Sequence, residues 1–199
     1  MTLLALLRHG KTEWNESGRM QGRHDTMLTA QTRATLVALC LPPELSGFAW
    51  LTSPLRRAID TASLLGIADA KSDPRLVEMD WGDWEGRTLA ELRAGRGETM
   101  AEREAEGLDF KPPGGESPRE VQARLAPLLA EIAASGQPVG AVTHKGVIRA
   151  ILALATAWDM RGKAPFHLDW GAIHLFELDR DGRPAPLRLN LALLPRAPR

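Results

Sequence analysis

The sequence has little from which a disulfide, a surface of one charge sign or a membrane anchor could be built. Its 199 residues include one cysteine, Cys40, so no internal disulfide can form, and this usage fits a reducing compartment. The 25 basic and 25 acidic residues balance, which argues against nucleic acid or an anionic membrane as a partner. The apolar run at residues 3–7 is too short for a signal peptide, and no later run reaches membrane-spanning length. We therefore expect a soluble, cytoplasmic protein.

Short apolar segments alternate with helical ones along the chain. Residues 3–7, 48–52 and 138–143 predict buried strands, and the last two run directly into apolar helical patterns. Ser53 and Pro54 suit the cap and first turn of the helix after the second strand. Strands that alternate with helices indicate an α/β fold with a largely parallel sheet. At this length we expect one domain, residues 1–199.

Turn and capping residues place the other elements. Residues 29–40 predict a helix that buries Cys40, and Ser117 opens a capping box for a helix that ends near Ala134. The turn at 180–182 separates two alternating segments and predicts a hairpin at the sheet edge.

Two segments look less ordered. Residues 88–116 are charged and rich in glycine, and they predict a lid-like helical excursion rather than core. The arginines Arg93, Arg96 and Arg103 in it either meet a second anionic group of a ligand or form a solvated face. We expect the tail, residues 195–199, to be disordered.

Four cationic or titratable side chains stand just after predicted strands. Arg8 and His9 follow the first strand, Arg57 follows the second and His144 follows the third. Ligands of open α/β sheets bind beyond the carboxyl ends of the strands, so these side chains share one pocket if the strands are neighbours. Arginine forks bind two phosphate oxygens at once, which makes phosphate the natural ligand.

Helix amino termini near Pro54 and Val147 would add oriented N–H groups to such a phosphate site. A metal site on two histidines is the alternative, although the surrounding arginines would repel a cation. The sequence Gly10-Lys11-Thr12 imitates the end of a nucleotide-binding loop, but Ala5 stands where that motif requires glycine. The other histidines are interpreted as structural: His24, His167 and His174.

The chain resembles the histidine phosphatase superfamily, in its phosphoglycerate mutase-like branch. The resemblance rests on motifs in the expected order: LLRHGKTEWN (6–15), GRMQGRHDTMLT (18–29), SPLRRAIDTA (53–62), RLVEMDWGDWEG (75–86), PGGES (113–117) and VTHKGVIR (142–149). It implies a three-layer α/β/α sandwich whose mostly parallel central sheet has an antiparallel edge, with neither metal nor cofactor.

The same resemblance implies roles for single residues. His9 would be the nucleophile, and Glu78 the proton donor. Arg8, Arg57 and His144 would hold the phosphoryl group that is transferred.

Further residues would line the substrate site of such an enzyme. Asn15 resembles a residue that helps to orient phosphate, and Gln21 and Gly22 line the entrance in relatives. Lys145 stands where many relatives have glycine, and it adds charge at the rim of the pocket.

The implied activity is metal-independent hydrolysis of a small phosphorylated metabolite through a phosphohistidine, which divides one difficult displacement into two easier ones. Glu78 would be protonated chiefly in the substrate complex, so turnover should fall above neutral pH. A phosphoglycerate mutase-type phosphotransferase is the alternative, followed by an inactive phospholigand-binding protein. Chains of this length resemble α-ribazole phosphatases, fructose-2,6-bisphosphatase-like enzymes and broad-specificity phosphatases, so the sequence does not identify the substrate. It does not fix the oligomeric state either, and a homodimer is one possibility.

Overall fold

The computed structural model describes residues 1–96 and 105–197. Arg103 lies outside the described residues, as does the side chain of Arg96. The strands are β1 (Thr2–Arg8), β2 (Leu39–Cys40), β3 (Ala49–Thr52), β4 (Lys71–Ser72), β5 (Val139–Thr143), β6 (Ile173–Leu178), β7 (Pro184–Leu191) and β8 (Leu194–Pro195). The helices are α1 (Glu13–Glu16), α2 (Ala30–Val37), α3 (Arg56–Leu64), α4 (Leu89–Arg96), α5 (Pro118–Ser135) and α6 (Lys145–Thr156).

Six strands form the central sheet in the order β4-β3-β5-β1-β6-β7. The first four of these run parallel, whereas β6 and β7 pair antiparallel and form the predicted hairpin at one edge. Because β5 lies between β3 and β1, the carboxyl ends of the three predicted strands are adjacent. The mostly parallel sheet with an antiparallel edge is confirmed.

Helices cover both faces of the sheet because β1 is apolar on both sides. Leu4 and Leu6 pack with buried residues of α5 and α6. Ala5 and Leu7, which point the opposite way, pack with buried residues of α2 and α3. Alternate side chains of one strand thus belong to two cores, which confirms the predicted α/β/α layers.

The capping prediction for α5 is confirmed. Ser117 Oγ accepts a hydrogen bond from the Glu120 N–H, while the Glu120 carboxylate accepts one from the Ser117 N–H. Gly136, with φ of 65°, ends this helix in the left-handed conformation that glycine favours.

The prediction of a helix over residues 29–40 is wrong at its end. Helix α2 stops at Val37, and the next residues form β2, which pairs with β8 in a small separate sheet. Cys40 is therefore a half-buried strand residue, with its Sγ 3.8 Å from the Pro195 carbonyl oxygen. The prediction of a disordered tail is wrong for residues 195–197, since the Arg196 N–H donates to the Ala38 carbonyl at 2.8 Å; residues 198 and 199 lie outside the described residues.

The described part of the predicted excursion shares a small core with the residues before it. Leu92 of the excursion and Trp84, which precedes it, are both buried, with Phe110 packed against them. Residues 88–96 therefore dock on the body of the protein instead of standing free. Among the described helices, none is both long enough and apolar enough to cross a membrane.

Candidate active site

The ends of β1 and β5 bring the two histidines together. Arg8 pairs with Thr143 in the sheet register, and the next N–H, that of His9, donates to the Thr143 carbonyl at 2.9 Å. His144 follows Thr143 directly. The ring centroids of His9 and His144 lie 5.0 Å apart, so the predicted convergence of these strand ends is confirmed.

His9 is buried with one ring nitrogen engaged. Its Nδ1 lies 2.7 Å from the Gly10 carbonyl oxygen. A carbonyl only accepts hydrogen bonds, so Nδ1 carries the proton, and Nε2 of the neutral ring keeps its lone pair. Burial lowers the pKa of His9 well below its usual range, and the charges of Arg57 and Arg8 lower it further. The imidazole is consequently neutral at physiological pH.

His144 is fully buried and precedes the first residue of α6. Its Nε2 lies 2.6 Å from Ser53 Oγ, and its Nδ1 has no partner among the described residues. Burial lowers the pKa of His144, as do the neighbouring His9, Arg57 and Arg8.

The prediction that Ser53 caps a helix is wrong. Helix α3 begins two residues later than expected, and its N-cap, Leu55, makes no side-chain cap. The Ser53 hydroxyl instead accepts from the Leu55 N–H at 3.3 Å and bonds to His144. Ser-Pro is a common helix-start pattern, and this pattern concealed the contact with the histidine.

Arg57 has no solvent exposure and is held by backbone carbonyls. Its Nη1 and Nη2 donate to the carbonyls of His24 and Gly22, each at 2.7 Å. Its Nε is buried without a partner in the described chain, as is Nε of Arg8. The guanidinium carbon of Arg8 lies 5.8 Å from the ring centroid of Trp170.

Three predicted binding residues hold the wall of the site. Gly22 has φ of +54°, and a side chain there would collide with the Glu85 carboxylate, so it serves to present its carbonyl to Arg57. The amide of Gln21 is buried, and its Nε2 has no partner in the described ranges. Asn15 faces the cavity, but its Oδ1 accepts from the N–H and hydroxyl of Thr12, which caps α1.

Glu78 is buried at the amino terminus of α6. Its Oε1 accepts from the Met79 N–H at 2.8 Å and, like Oε2, from the Gly146 N–H, at 3.1 and 3.2 Å. Burial raises the pKa of Glu78, although these N–H groups and the arginines oppose the rise. Such a carboxyl can exchange a proton nearer to neutrality than an exposed one.

The helix termini differ in use from the prediction. The Gly146 N–H of α6 donates to Glu78, and the Arg56 N–H of α3 donates to Asp25 Oδ2 at 2.8 Å. Both termini are thus occupied by carboxylates of the protein.

The site opens into a cavity of about 950 Å³. Among the described residues, six basic and two acidic side chains line it, in a chain with no net charge. Sequence reasoning missed Arg149, which lies one helical turn beyond Lys145 and lines the same cavity. Its spacing of four residues from Lys145 was the available signal. Trp14 was also missed; it lines the cavity and stacks on His24 with ring centroids 4.6 Å apart.

The described parts of the chain contain no set of ligands for a metal ion. No group of three or more histidine, cysteine, aspartate or glutamate side chains there is placed to hold an ion. The fold and the site together define an α/β protein with a buried cationic pocket at the carboxyl ends of parallel strands.

Comparison with known proteins identifies the family. The model of the histidine phosphatase superfamily, branch 1, matches residues 4–191, so the chain belongs to this superfamily and is a phosphatase-type enzyme. It is similar to glucosyl-3-phosphoglycerate phosphatase of Mycobacterium tuberculosis, with 39% identity over 75% of this chain and 73% of that protein. The native structure of a mycobacterial glucosyl-3-phosphoglycerate phosphatase matches with a TM-score of 0.77 and 32% identity, covering 96% of this chain and all of that one.

A relative with another activity also matches. The 2,3-bisphosphoglycerate-dependent phosphoglycerate mutase of Azorhizobium caulinodans is 33% identical, over 90% of this chain and 93% of that protein. Relatives named as phosphatases and as mutases are thus both similar in sequence to this chain.

Proposed function

We propose that this protein is a metal-independent phosphomonoesterase in which His9 Nε2 attacks the phosphorus of a small phosphorylated metabolite. One observation carries the proposal: a buried, neutral histidine has its nucleophilic nitrogen set by the Gly10 carbonyl, beside buried donors that lack partners in the described chain. The phosphohistidine that forms is the covalent intermediate.

The phosphoryl group binds to the unpaired donors of Arg8, Arg57 and His144. A buried donor without a partner costs about 1–3 kcal/mol, and a phosphate oxygen at each of these groups removes that cost. For His144, a Ser53 hydroxyl that donates to Nε2 leaves the proton on Nδ1, free to donate to phosphate. The fixed arginines neutralise charge in the transition state, which is the principal requirement of phosphoryl transfer.

Glu78 supplies and then accepts the proton. As the His9–phosphorus bond forms, the ester P–O bond breaks and the leaving oxygen takes the proton of the Glu78 carboxyl. The carboxylate then takes a proton from water as the water oxygen attacks phosphorus and the bond to His9 breaks. Phosphate leaves, and both residues return to their starting protonation states.

The substrate is a small phosphorylated metabolite of sugar-like size. The phosphatase relatives are named for glucosyl-3-phosphoglycerate, and the cavity of about 950 Å³ has room for a phosphate ester with a bulky leaving group. Its aromatic lining, which includes Trp14, Trp81 and Phe110, gives apolar surface on which a ring packs.

A chromogenic phosphate monoester with excess chelator tests this function. We expect the wild type to release phosphate, and His9→Ala to release none. Activity that requires an added divalent metal would contradict the proposal. In a parallel arm with 3-phosphoglycerate and its bisphosphate primer, isomerisation faster than phosphate release would favour the mutase.

A further inference from the structure

Lys145 and Arg149 are two cations of the cavity that form no ion pair with a described carboxylate. They lie one turn apart on α6 and both line the cavity. Within residues 1–96 and 105–197, neither forms an ion pair, whereas Arg19, another lining cation, lies 3.8 Å from Glu91. Of the described acidic groups, Glu78 acts on Lys145 through its charge without forming an ion pair, and none pairs with Arg149.

Aromatic rings position both side chains. Lys145 Nζ lies 5.3 Å from the ring centroid of Trp170, and the guanidinium carbon of Arg149 lies 5.1 Å from that of Trp158. Cation–π contacts of this kind hold a charge without neutralising it. Partial desolvation lowers the pKa of Lys145, with Arg149 and Arg8 contributing, and burial lowers that of Arg149. An anion between the two would relieve both effects.

Their position relative to the reaction indicates which part of a substrate they meet. Trp170 also contacts Arg8, so Lys145 lies beside the phosphoryl-binding side chains. Gly146, next to Lys145, bonds to Glu78. Because Glu78 must face the leaving oxygen, the leaving group extends from Glu78 along the cavity past α6.

We propose that Lys145 and Arg149 form a second anion subsite, and that the substrate carries a carboxylate or a second phosphate in its leaving group. This inference rests on the proposed function, since it takes Glu78 to mark the leaving-group side.

Matched pairs of esters test the subsite. 3-Phosphoglycerate is compared with glycerol 3-phosphate, which lacks the carboxylate, and fructose 1,6-bisphosphate with fructose 6-phosphate. We expect the wild type to prefer the doubly anionic member of at least one pair. Lys145→Met and Arg149→Met should each reduce that preference in kcat/KM about tenfold, chiefly through KM. Lys145→Arg should retain it, as should Lys71→Met, a change at an exposed strand lysine outside the cavity.

The outcomes separate the two proposals. The pair that shows the preference identifies the second anion as carboxylate or phosphate. Equal kcat/KM for the two esters of each pair would overturn the subsite, as would variants that lower kcat/KM for both esters alike. Neither result would contradict the proposed phosphatase activity. If the wild type hydrolyses no ester at all, the proposed function fails. In that case the Kd of each ester for the His9→Ala protein is measured by calorimetry. Tighter binding of the doubly anionic ester, reduced when Lys145 or Arg149 is also replaced, would support the subsite, and equal binding would overturn it.

Discussion

At the scale of single residues, the site depends on which nitrogen of each histidine is engaged. His9 is fixed through Nδ1 by the Gly10 carbonyl, and His144 is fixed through Nε2 by the Ser53 hydroxyl. The two rings therefore keep opposite nitrogens available, Nε2 on His9 and Nδ1 on His144. Replacing a residue that holds a functional histidine in one tautomer commonly lowers activity about 10–100-fold.

Ser53 is a positioning residue for His144. In Ser53→Ala the buried Nε2 loses its partner, so the ring is free to change tautomer or tilt, and kcat should fall about tenfold or more. Ser53→Thr keeps the hydroxyl and should restore most of the activity. Steady-state kinetics of both variants check this, and a Ser53→Ala enzyme with wild-type kcat would show that the hydroxyl is only structural.

Glu78 is tested by the leaving group. Replacement by glutamine keeps the shape but cannot supply a proton, so hydrolysis of an alkyl phosphate should slow about 100-fold or more. A nitrophenolate leaves without protonation, so kcat/KM for p-nitrophenyl phosphate, which covers only the steps up to formation of the phosphohistidine, should be affected far less. The ratio of kcat/KM for the two esters is the measurement, and an equal loss of kcat/KM on both would argue against Glu78 as the acid.

At the scale of elements, the first turn of α6 holds the Glu78 carboxyl in place. The Gly146 N–H donates to Glu78, and a Cβ at Gly146 would lie 2.5 Å from Glu78 Oε1 and 3.2 Å from Met79 Cβ. The helix therefore needs glycine at a position where propensity alone favours alanine.

Gly146→Ala should separate activity from stability. The added methyl group displaces the Glu78 carboxyl, and we expect kcat to fall about tenfold or more while the unfolding free energy changes by less than about 1 kcal/mol. Gly136→Ala is the control: its methyl meets no atom within 4 Å, but φ is +65°, so it should cost about 1 kcal/mol and leave kcat unchanged. Kinetics and urea unfolding of both proteins decide, and a fully active Gly146→Ala enzyme would refute the account.

Local patterns predicted the elements that depend on local physics. The apolar run of β1, the capping box at Ser117 and the hairpin turn at 180–182 each act through neighbours in sequence, and all three are confirmed. The pairing of β2 with β8 joins residues about 155 apart in the chain, and no local pattern encodes it.

The candidate site also divides into features that local patterns predicted and features that depend on tertiary contacts. The strand ends predicted that Arg8, His9 and His144 converge, because parallel strands place their carboxyl ends together. The contact of Ser53 with His144 depends on where α3 begins, and the role of Arg149 depends on which face of α6 borders the cavity. Both features are set by tertiary packing, which a local sequence pattern does not encode.

At the scale of the whole molecule, buried neutral histidines link folding to pH. His174 is buried and accepts from the Asn190 N–H through Nδ1, and desolvation lowers its pKa to about 4. The unfolded chain, with an ordinary histidine pKa of ~6.5, binds this proton first. The stabilisation from a neutral His174 is therefore complete above about pH 6.5 and is lost as the pH falls towards 4.

Urea unfolding between pH 4 and 7 measures this linkage. The wild type should lose more stability than His174→Gln over that interval, by about 3 kcal/mol. His9 and His144 act in the same direction in both proteins, so the difference isolates His174. Parallel pH dependence of the two proteins would show that His174 titrates normally in the folded state.

The chain as a whole carries no net charge, yet several of its cationic side chains lie around one buried histidine. Such an arrangement suits an anionic ester that passes its phosphoryl group to the protein.

Trapping the covalent intermediate tests this central claim most directly. The enzyme is mixed with a ³²P-labelled substrate in the presence of chelator. The reaction is quenched within one turnover under alkaline conditions that preserve phosphohistidine, and the labelled residue is identified by mass spectrometry. We predict one phosphoryl group on His9, formed and lost at rates that account for kcat and absent from His9→Ala. Turnover without phosphoenzyme, or with the label on another residue, would contradict it.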